Sequence, residues 1–180
     1  MRRLFWQMMM SLDGYMAGQN RDMDWFVTDD EFGQYVLEMS QTIDTIVFGR
    51  VTYQLMAAYW PSATSPEAPM MNDLPKVVFS RTLDAVDWKN SRLAKGSVVE
   101  EIARLKQAPG KDIAMFGSAD LAATFIRHGL IDEYRIFLNP AVLGRGYPLF
   151  KDADRMKLKF LKARPFRSGN VLLYYQPATT

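Results

Sequence analysis

TIDTIVFGRVTYQLM, residues 42–56, changes from one secondary-structure pattern to another at a single glycine. The first half is a β-branched, apolar run that predicts a buried strand, and the residues after Gly49 favour a helix. Arg50 and Thr52 stand at the junction, where backbone N–H groups and the helix dipole favour an anion and a guanidinium can bind a phosphate. The stretch therefore predicts a strand–turn–helix unit with an anion site at its turn. A solvated arginine at a helix start is the alternative.

The same alternation of strands and helices continues up to residue 130. In chain order, the predicted elements are a strand over residues 4–10, a helix over 28–41, a strand over 45–49, a helix over 51–60, a strand over 76–80, a helix over 98–107, a strand over 112–117 and a helix over 119–129. Two of these helices begin at possible capping boxes, Thr28 with Glu31 and Ser97 with Glu100. The segments 11–27 and 61–75 are predicted loops. This alternation is typical of a parallel sheet with helices on both faces and ligands at the carboxyl ends of its strands.

The pattern changes near the C-terminus. Residues 133–138, 156–163 and 170–176 resemble strands without intervening helices, and the sequence RSGN predicts a turn between the last two. An antiparallel edge on a mostly parallel sheet follows from this change. We therefore predict an α/β fold.

Composition narrows the function classes. The 180 residues, 48% of them hydrophobic, suit a single domain over residues 1–180. The 22 basic and 20 acidic residues are spread along the chain, which argues against a nucleic-acid partner. Cysteine is absent and histidine occurs once, so we expect no disulfide, metal site or histidine triad. The N-terminal apolar run is too short for a membrane helix and has no cleavage site. We expect a cytoplasmic protein that binds no membrane.

A second strand-to-helix junction resembles the first. Gly117, Ser118, Ala119 and Asp120 form a turn small enough for a pyrophosphate to lie against its backbone, with Ser118 as a predicted N-cap. An ordinary capped turn is the alternative. Neither the GxGxxG dinucleotide pattern nor a Walker A sequence occurs, so two such turns indicate a nucleotide fold outside both families.

Five motifs in series identify a family resemblance. They are SLDGYMAG (11–18), VFGRVTY (47–53), VFSRTL (78–83), FGSADLAATFIRHGLIDEYRI (116–136) and NPAVLGRGYPLF (139–150). Together they resemble the dihydrofolate reductase superfamily, and most of all the reductase domain at the C-terminus of bacterial riboflavin-pathway deaminase-reductases. The resemblance covers nearly the whole chain and implies a three-layer α-β-α dihydrofolate reductase-like fold.

The resemblance also implies NADPH as the cofactor. In such proteins the Gly-Arg-x-Thr turn, here Gly49 to Thr52, binds NADPH. Arg50 would pair with the 2′-phosphate, and Thr52 would help to hold the pyrophosphate. Ser80 and Arg81 would flank the adenosine phosphate. The remaining implied cofactor residues are Met16 and Ala17 beside the nicotinamide, and Gly117, Ser118, Ala119, Asp120 and Leu121 in the pyrophosphate turn.

Two acids are candidates for catalysis. Asp30 follows Trp25 by five positions, as an acid follows a tryptophan in dihydrofolate reductases, although an acid in a first helical turn also complements the helix dipole. Asp13 is the other acid expected near the nicotinamide, and a turn aspartate bonded to its own backbone is the alternative. The residues implied for the substrate side are Ser11, Gly144, Arg145 and Gly146, with Arg145 facing a substrate phosphate.

The resulting function is an NADPH-dependent reductase that transfers a hydride to a pyrimidine or pterin-like heterocycle. The closest named activity is 5-amino-6-(5-phosphoribosylamino)uracil reductase. Dihydrofolate reductase and a non-catalytic NADPH-binding protein of the same fold are the alternatives. A homodimer is expected because relatives in this branch often pair. We expect Met8, Met9, Met10, Met70 and Met71 to serve in adaptable packing rather than in a soft metal site.

Overall fold

The structure is a computed structural model that describes residues 1–151 and 153–178. The strands are β1 (Leu4–Ser11), β2 (Tyr15–Ala17), β3 (Ile43–Gly49), β4 (Lys76–Phe79), β5 (Ser91–Ala94), β6 (Asp112–Phe116), β7 (Glu133–Asn139), β8 (Tyr147–Pro148), β9 (Leu158–Pro165) and β10 (Val171–Pro177). The helices are α1 (Asp30–Ser40), α2 (Arg50–Tyr59), α3 (Ala68–Asp73), α4 (Val98–Gln107) and α5 (Ala119–Arg127), with a short 3₁₀ helix at Trp60–Ser62.

One sheet of eight strands organises the molecule, in the order β5-β4-β3-β6-β1-β7-β10-β9. The strands from β5 to β7 pair in parallel, whereas β10 pairs antiparallel with both β7 and β9. The predicted mostly parallel sheet with an antiparallel C-terminal edge is confirmed. The strand predicted over 156–163 lies at Leu158–Pro165.

The sheet separates two apolar cores. Alternation along β1 sends Leu4 and Trp6 to the core under α4 and α5, and Phe5 to the core under α1, α2 and α3. Helices therefore cover both faces, as the three-layer prediction requires. Within the described residues, no helix has the length and apolar content needed to cross a membrane.

The start of α1 differs from the prediction. The helix begins at Asp30, and its N-cap is Asp29 rather than Thr28, because the Asp29 carboxylate accepts the Phe32 N–H at 2.8 Å. Glu31 accepts from the Arg167 side chain instead of closing a capping box. The second predicted cap is confirmed, since Ser97 Oγ accepts the Glu100 N–H at 3.3 Å.

Four short elements lie outside the predicted helices and strands. The two-stranded sheet of β2 and β8 joins the first loop to the segment after β7, α3 occupies the Pro-rich segment, and β5 lies in the polar connection after β4. Each has six residues or fewer, which is too short for a hydrophobic period to develop. Tertiary pairing, rather than local pattern, determines them.

A buried lysine holds the C-terminal end of α3. Lys76 is fully buried, and its Nζ donates to the carbonyl oxygens of Met71, Asn72 and Leu74 at 2.8, 3.0 and 2.7 Å. The same ammonium lies 4.5 Å from the ring centroid of Trp88. Since the last carbonyls of a helix have no partner within the helix, Lys76 acts as the C-terminal cap of α3.

Candidate functional site

A cleft of about 760 Å³ opens at the carboxyl ends of the central strands. Its lining comes from β1, the β2–β8 pair, α1, α2, α3 and the turn between β6 and α5. The lining residues include Gln7, Met16, Ala17, Arg21, Asp29, Phe32, Thr52, Leu55, Met56, Tyr59, Trp60, Glu67, Met70, Met71, Gly117, Ser118, Ala119, Asp120, Tyr147 and Lys151. Ligands bind at this edge in open α/β sheets.

The two predicted anion turns meet at this cleft. A Cβ added to Gly49 would lie 3.0 Å from Ser118 Oγ, and one added to Gly117 would lie 2.5 Å from Thr52 Oγ1. Gly117 also has φ of +61°, and the peptide bond between Gly117 and Ser118 is cis. Gly117 is therefore required for the two turns to approach so closely, whereas a Cβ at Gly49 would displace the Ser118 hydroxyl only slightly.

The helices that begin at these turns have free N-termini. At α2 the N-cap residue is Gly49, which has no side chain, and Ser118 at the N-terminus of α5 makes no capping hydrogen bond. Ser118 therefore occupies the predicted N-cap position, but its side chain does not cap the helix. Its hydroxyl would lie 3.0 Å from a Cβ added to Gly49, so it faces the neighbouring turn. The N–H groups at both helix starts remain available to an external anion.

Basic side chains lie on the rim beyond the turns. The register pairs Gly49 with Phe79, so the residues that follow β3 and β4, Arg50 and Ser80, emerge side by side. Arg50 and Arg81 are exposed, and Arg50 Nη1 donates to Gln54 Oε1 at 3.1 Å. None of Gly49, Arg50, Ser80, Arg81 and Leu121 lines the cleft itself.

The β2–β8 pair forms the opposite wall. Met16 and Ala17, which the family resemblance places beside the nicotinamide, line the cleft on this wall. A Cβ on Gly146 would overlap the carbonyl oxygen of Ala17. Gly146 therefore allows this wall to form. The guanidinium carbon of Arg21 lies 5.1 Å from the ring centroid of Tyr147.

Asp13 joins two segments of this wall. Its carboxylate accepts from Ser11 Oγ at 2.7 Å and from the N–H groups of Leu143 and Gly144 at 3.1 and 2.7 Å. The Ser11 hydrogen bond is the main cause that lowers the pKa of Asp13. The structure thus brings Ser11, Asp13 and Gly144 together, outside the cleft lining. Arg145 is exposed and also lies outside it. Their functional roles stay predictions.

Asp30 is exposed and does not line the cleft, whereas its neighbour Asp29 does. Both Asp29 carboxylate oxygens accept backbone N–H groups, from Phe32 and from Ser168 at 3.0 Å. The Phe32 hydrogen bond lowers the pKa of Asp29, so this carboxylate is ionised at neutral pH. The catalytic role assigned to Asp30 stays a prediction. Among the described residues, no group of three or more His, Asp or Glu side chains is arranged to hold a metal ion.

A polar pair at the cleft was not predicted from the sequence: Gln7 lines the cleft, and its partner Tyr35 lies outside the lining. Tyr35 Oη donates to Gln7 Oε1 at 2.5 Å, and burial raises the pKa of Tyr35, which keeps the hydroxyl protonated. This bond engages the amide oxygen, and the NH₂ group of Gln7, which lines the cleft, can donate to a ligand. A lone amide inside the apolar run from Leu4 to Met10 was the available signal.

The end of the cleft away from the turns is rich in methionine. The methionines that line the whole cleft are Met8, Met9, Met16, Met23, Met39, Met56, Met70 and Met71. Of the five methionines predicted to serve in packing, Met10 alone lies outside this lining. Long unbranched thioethers adapt to ligands of different shape.

Comparison with known proteins identifies the family of this chain. The profile of the RibD C-terminal domain family matches residues 2–172. The chain belongs to this family. A relative in Bacillus subtilis strain 168, the uncharacterized protein YyaP, is 37% identical over 180 residues that cover 97% of this chain and 94% of YyaP.

Solved structures of RibD-like proteins and a dihydrofolate reductase share the fold. A putative riboflavin biosynthesis protein from Shewanella sp. PV-4 is 24% identical, with a TM-score of 0.79 over 98% of this chain and 99% of that one. A deaminase/5-amino-6-(5-phosphoribosylamino)uracil reductase from Thermotoga maritima is 16% identical, with a TM-score of 0.73 over 98% of this chain and 57% of that one. Dihydrofolate reductase from Enterococcus faecalis complexed with NADP(H) is 14% identical, with a TM-score of 0.67 over 98% of this chain and 97% of that one. The predicted dihydrofolate reductase-like fold is confirmed.

Proposed function

We propose that this RibD-type domain is an NADPH-dependent reductase that transfers a hydride to a pyrimidine or pterin-like heterocycle. One observation carries the proposal: two helix N-termini without side-chain caps converge at glycine turns on one side of a deep cleft. Such a pair favours a pyrophosphate, because each terminus offers N–H donors and a positive dipole end.

Other residues would contact different parts of the cofactor. Arg50 and Arg81 supply positive charge on the rim for a 2′-phosphate, and Thr52 offers a hydroxyl at the turn. Met16 and Ala17 would lie beside the nicotinamide, against the β2–β8 wall. Bound NADPH supplies the hydride, while the protein orients the ring and excludes water.

The names of the relatives support the reaction class. The Thermotoga maritima protein is named as a uracil reductase and the Enterococcus faecalis structure is a dihydrofolate reductase with NADP(H). The closest named activity is therefore 5-amino-6-(5-phosphoribosylamino)uracil reductase. Dihydrofolate reductase and a non-catalytic NADPH-binding protein are the alternatives.

Two measurements test the proposal. Calorimetric titration with NADPH should give saturable binding, with weaker binding of NADH, and NADPH oxidation followed at 340 nm should accelerate with a pyrimidine or pterin-like heterocycle. Turnover of dihydrofolate that methotrexate blocks would favour the first alternative. Tight NADPH binding with no turnover of any heterocycle would favour the second, and absence of NADPH binding would reject the proposal.

We also propose a cytoplasmic homodimer. Phe160 and Leu161 on edge strand β9 are 54% and 40% exposed, which offers apolar area for a second copy. Light scattering at several concentrations, with Phe160→Asp as the comparison, tests the pairing. A monomer at all concentrations would reject it.

A further inference from the structure

The cleft has a second end, remote from the anion turns. Thr52, Leu55, Met56 and Tyr59 recur at helical spacing on the cleft face of α2, so the cleft follows this helix for about 10 Å. Thr52 lies at the anion turns. Tyr59 lies at the other end, where α1, the 3₁₀ helix and α3 complete the wall. We refer to this second region as the apolar end.

Charge is distributed unevenly between the two ends. Among the described residues that line the cleft, the basic ones are Arg21 and Lys151. Arg21 stacks on Tyr147 of the β2–β8 wall, and Lys151 Nζ lies 3.8 Å from Asp120 Oδ1 in the first turn of α5, so both belong to the anion end.

Among the described residues that line the apolar end, the charged side chains are acidic. Asp29 and Glu67 line it, and the wall residues there are otherwise apolar or neutral, with Phe32, Met56 and Met70 among them. Besides the Phe32 hydrogen bond, Arg167 lies close enough to lower the pKa of Asp29, but it is outside the cleft lining and pairs with Glu31. A phosphate monoester in this region would therefore meet two carboxylates and no cation of the lining, which opposes binding of a dianion.

We propose, resting on the proposed NADPH-dependent reduction of a heterocycle but departing from the phosphoribosyl substrate of the closest named activity, that the substrate is an uncharged, largely apolar ring compound and not a phosphate ester. The ring carries a carbonyl group that accepts a hydrogen bond. The Gln7 amide, held by Tyr35, donates its NH₂ to that carbonyl. The methionines pack against the ring faces and adapt to substituents. A pyrimidinedione fused to an apolar aromatic ring has these properties.

Flavin probes test this proposal directly. Lumichrome, riboflavin and FMN each contain a pyrimidinedione in a fused ring system, and FMN differs from riboflavin by its phosphate alone. Their fluorescence is titrated with the full-length protein, in the absence of NADP⁺ and again with NADP⁺ at saturation, so that the FMN phosphate cannot use the anion turns. Binding of NADP⁺ is measured separately, which keeps failure of the proposed function distinguishable from failure of this inference.

The expected result is binding of lumichrome and riboflavin at least about tenfold tighter than FMN in the presence of NADP⁺. FMN affinity equal to or above that of riboflavin overturns the proposal. Absence of measurable binding for both uncharged probes overturns it as well.

A charge variant sharpens the test. Tyr59 lines the cleft at the apolar end but is 60% exposed, so Tyr59→Lys adds an ammonium there without burying it. We expect this variant to raise FMN affinity relative to riboflavin about fivefold. Val99→Lys, on α4 outside the cleft lining, is the control and should leave the ratio unchanged. The same ratio in Tyr59→Lys and the wild type would overturn the proposal.

Discussion

The two ends of the cleft are built from different parts of the polypeptide. The anion end is made of backbone: two glycine turns and two free helix N-termini. The apolar end is made of side chains from three helices and a 3₁₀ helix, with methionine prominent among them. Backbone geometry tolerates few substitutions, whereas a side-chain surface of this kind can change without loss of the fold. This difference predicts that few residue types are tolerated at the anion end, where we propose that the cofactor binds. More residue types should be tolerated at the apolar end, where we propose that the substrate binds.

The largest expected effect comes from Gly117→Ala, because the added Cβ would lie 2.5 Å from Thr52 Oγ1 and separate the two turns. NADPH affinity measured by calorimetry should fall about a hundredfold or more, the equivalent of two lost hydrogen bonds to a charged group. The control is Gly129→Ala, which has nearly the same φ of +60° but meets nothing within 4 Å. Equal loss of NADPH binding in both variants would show that backbone strain, and not the approach of the turns, is responsible.

Removal of the Lys76 cap tests the apolar end of the cleft, because Lys76 holds the C-terminal end of α3. Lys76→Met leaves three carbonyls at the end of α3 without their donor and should lower the free energy of unfolding by about 2–4 kcal/mol in urea titrations. Because Met70 and Met71 lie on α3, riboflavin binding should weaken while NADPH binding persists. Lys89→Met removes an exposed pair with Asp73 and should change stability by less than about 1 kcal/mol. Comparable destabilisation by the two variants would contradict this role.

A smaller effect, confined to one cofactor, is expected from Arg50→Ala. Loss of a charge-assisted contact of about 1.5–3 kcal/mol should weaken NADPH binding ten- to more than a hundredfold and leave NADH binding nearly unchanged, since NADH lacks the 2′-phosphate. Arg104→Ala, an exposed arginine on α4, serves as the control. If both cofactors lost affinity equally, Arg50 would not be the residue that selects NADPH.

The same division explains what the sequence could predict. The turns at Gly49 and Gly117 were predictable because a strand, a glycine and a helix follow one another locally. The N-cap of α1 was misplaced by one residue because Thr28 and Asp29 are both good caps, and Asp29 gains a second bond from the distant Ser168 N–H.

The apolar end was not predictable in this way. Met39, Met56 and Met70 lie far apart in the chain and reach one cleft only through packing of α1, α2 and α3. Strands β2, β5 and β8 are similarly set by pairing with distant segments. The functional roles of Asp30, Asp13 and Arg145 rest on resemblance, and their positions outside the cleft lining leave them as predictions.

The smallest expected effect separates the two ends most cleanly. Tyr35→Phe removes the donor that holds Gln7 Oε1, so the amide gains rotational freedom and its NH₂ is less well placed for a ring carbonyl. A neutral hydrogen bond contributes about 0.5–1.5 kcal/mol, so riboflavin affinity should fall about two- to tenfold, with NADPH affinity unchanged. Tyr134→Phe is the matched control, since Tyr134 is buried in the core under α4 and α5, and its hydroxyl contacts Met156 Sδ at 3.5 Å. A parallel loss of NADPH binding in Tyr35→Phe would mean that this polar pair supports both ends together, and the division into a backbone end and a side-chain end would then fail.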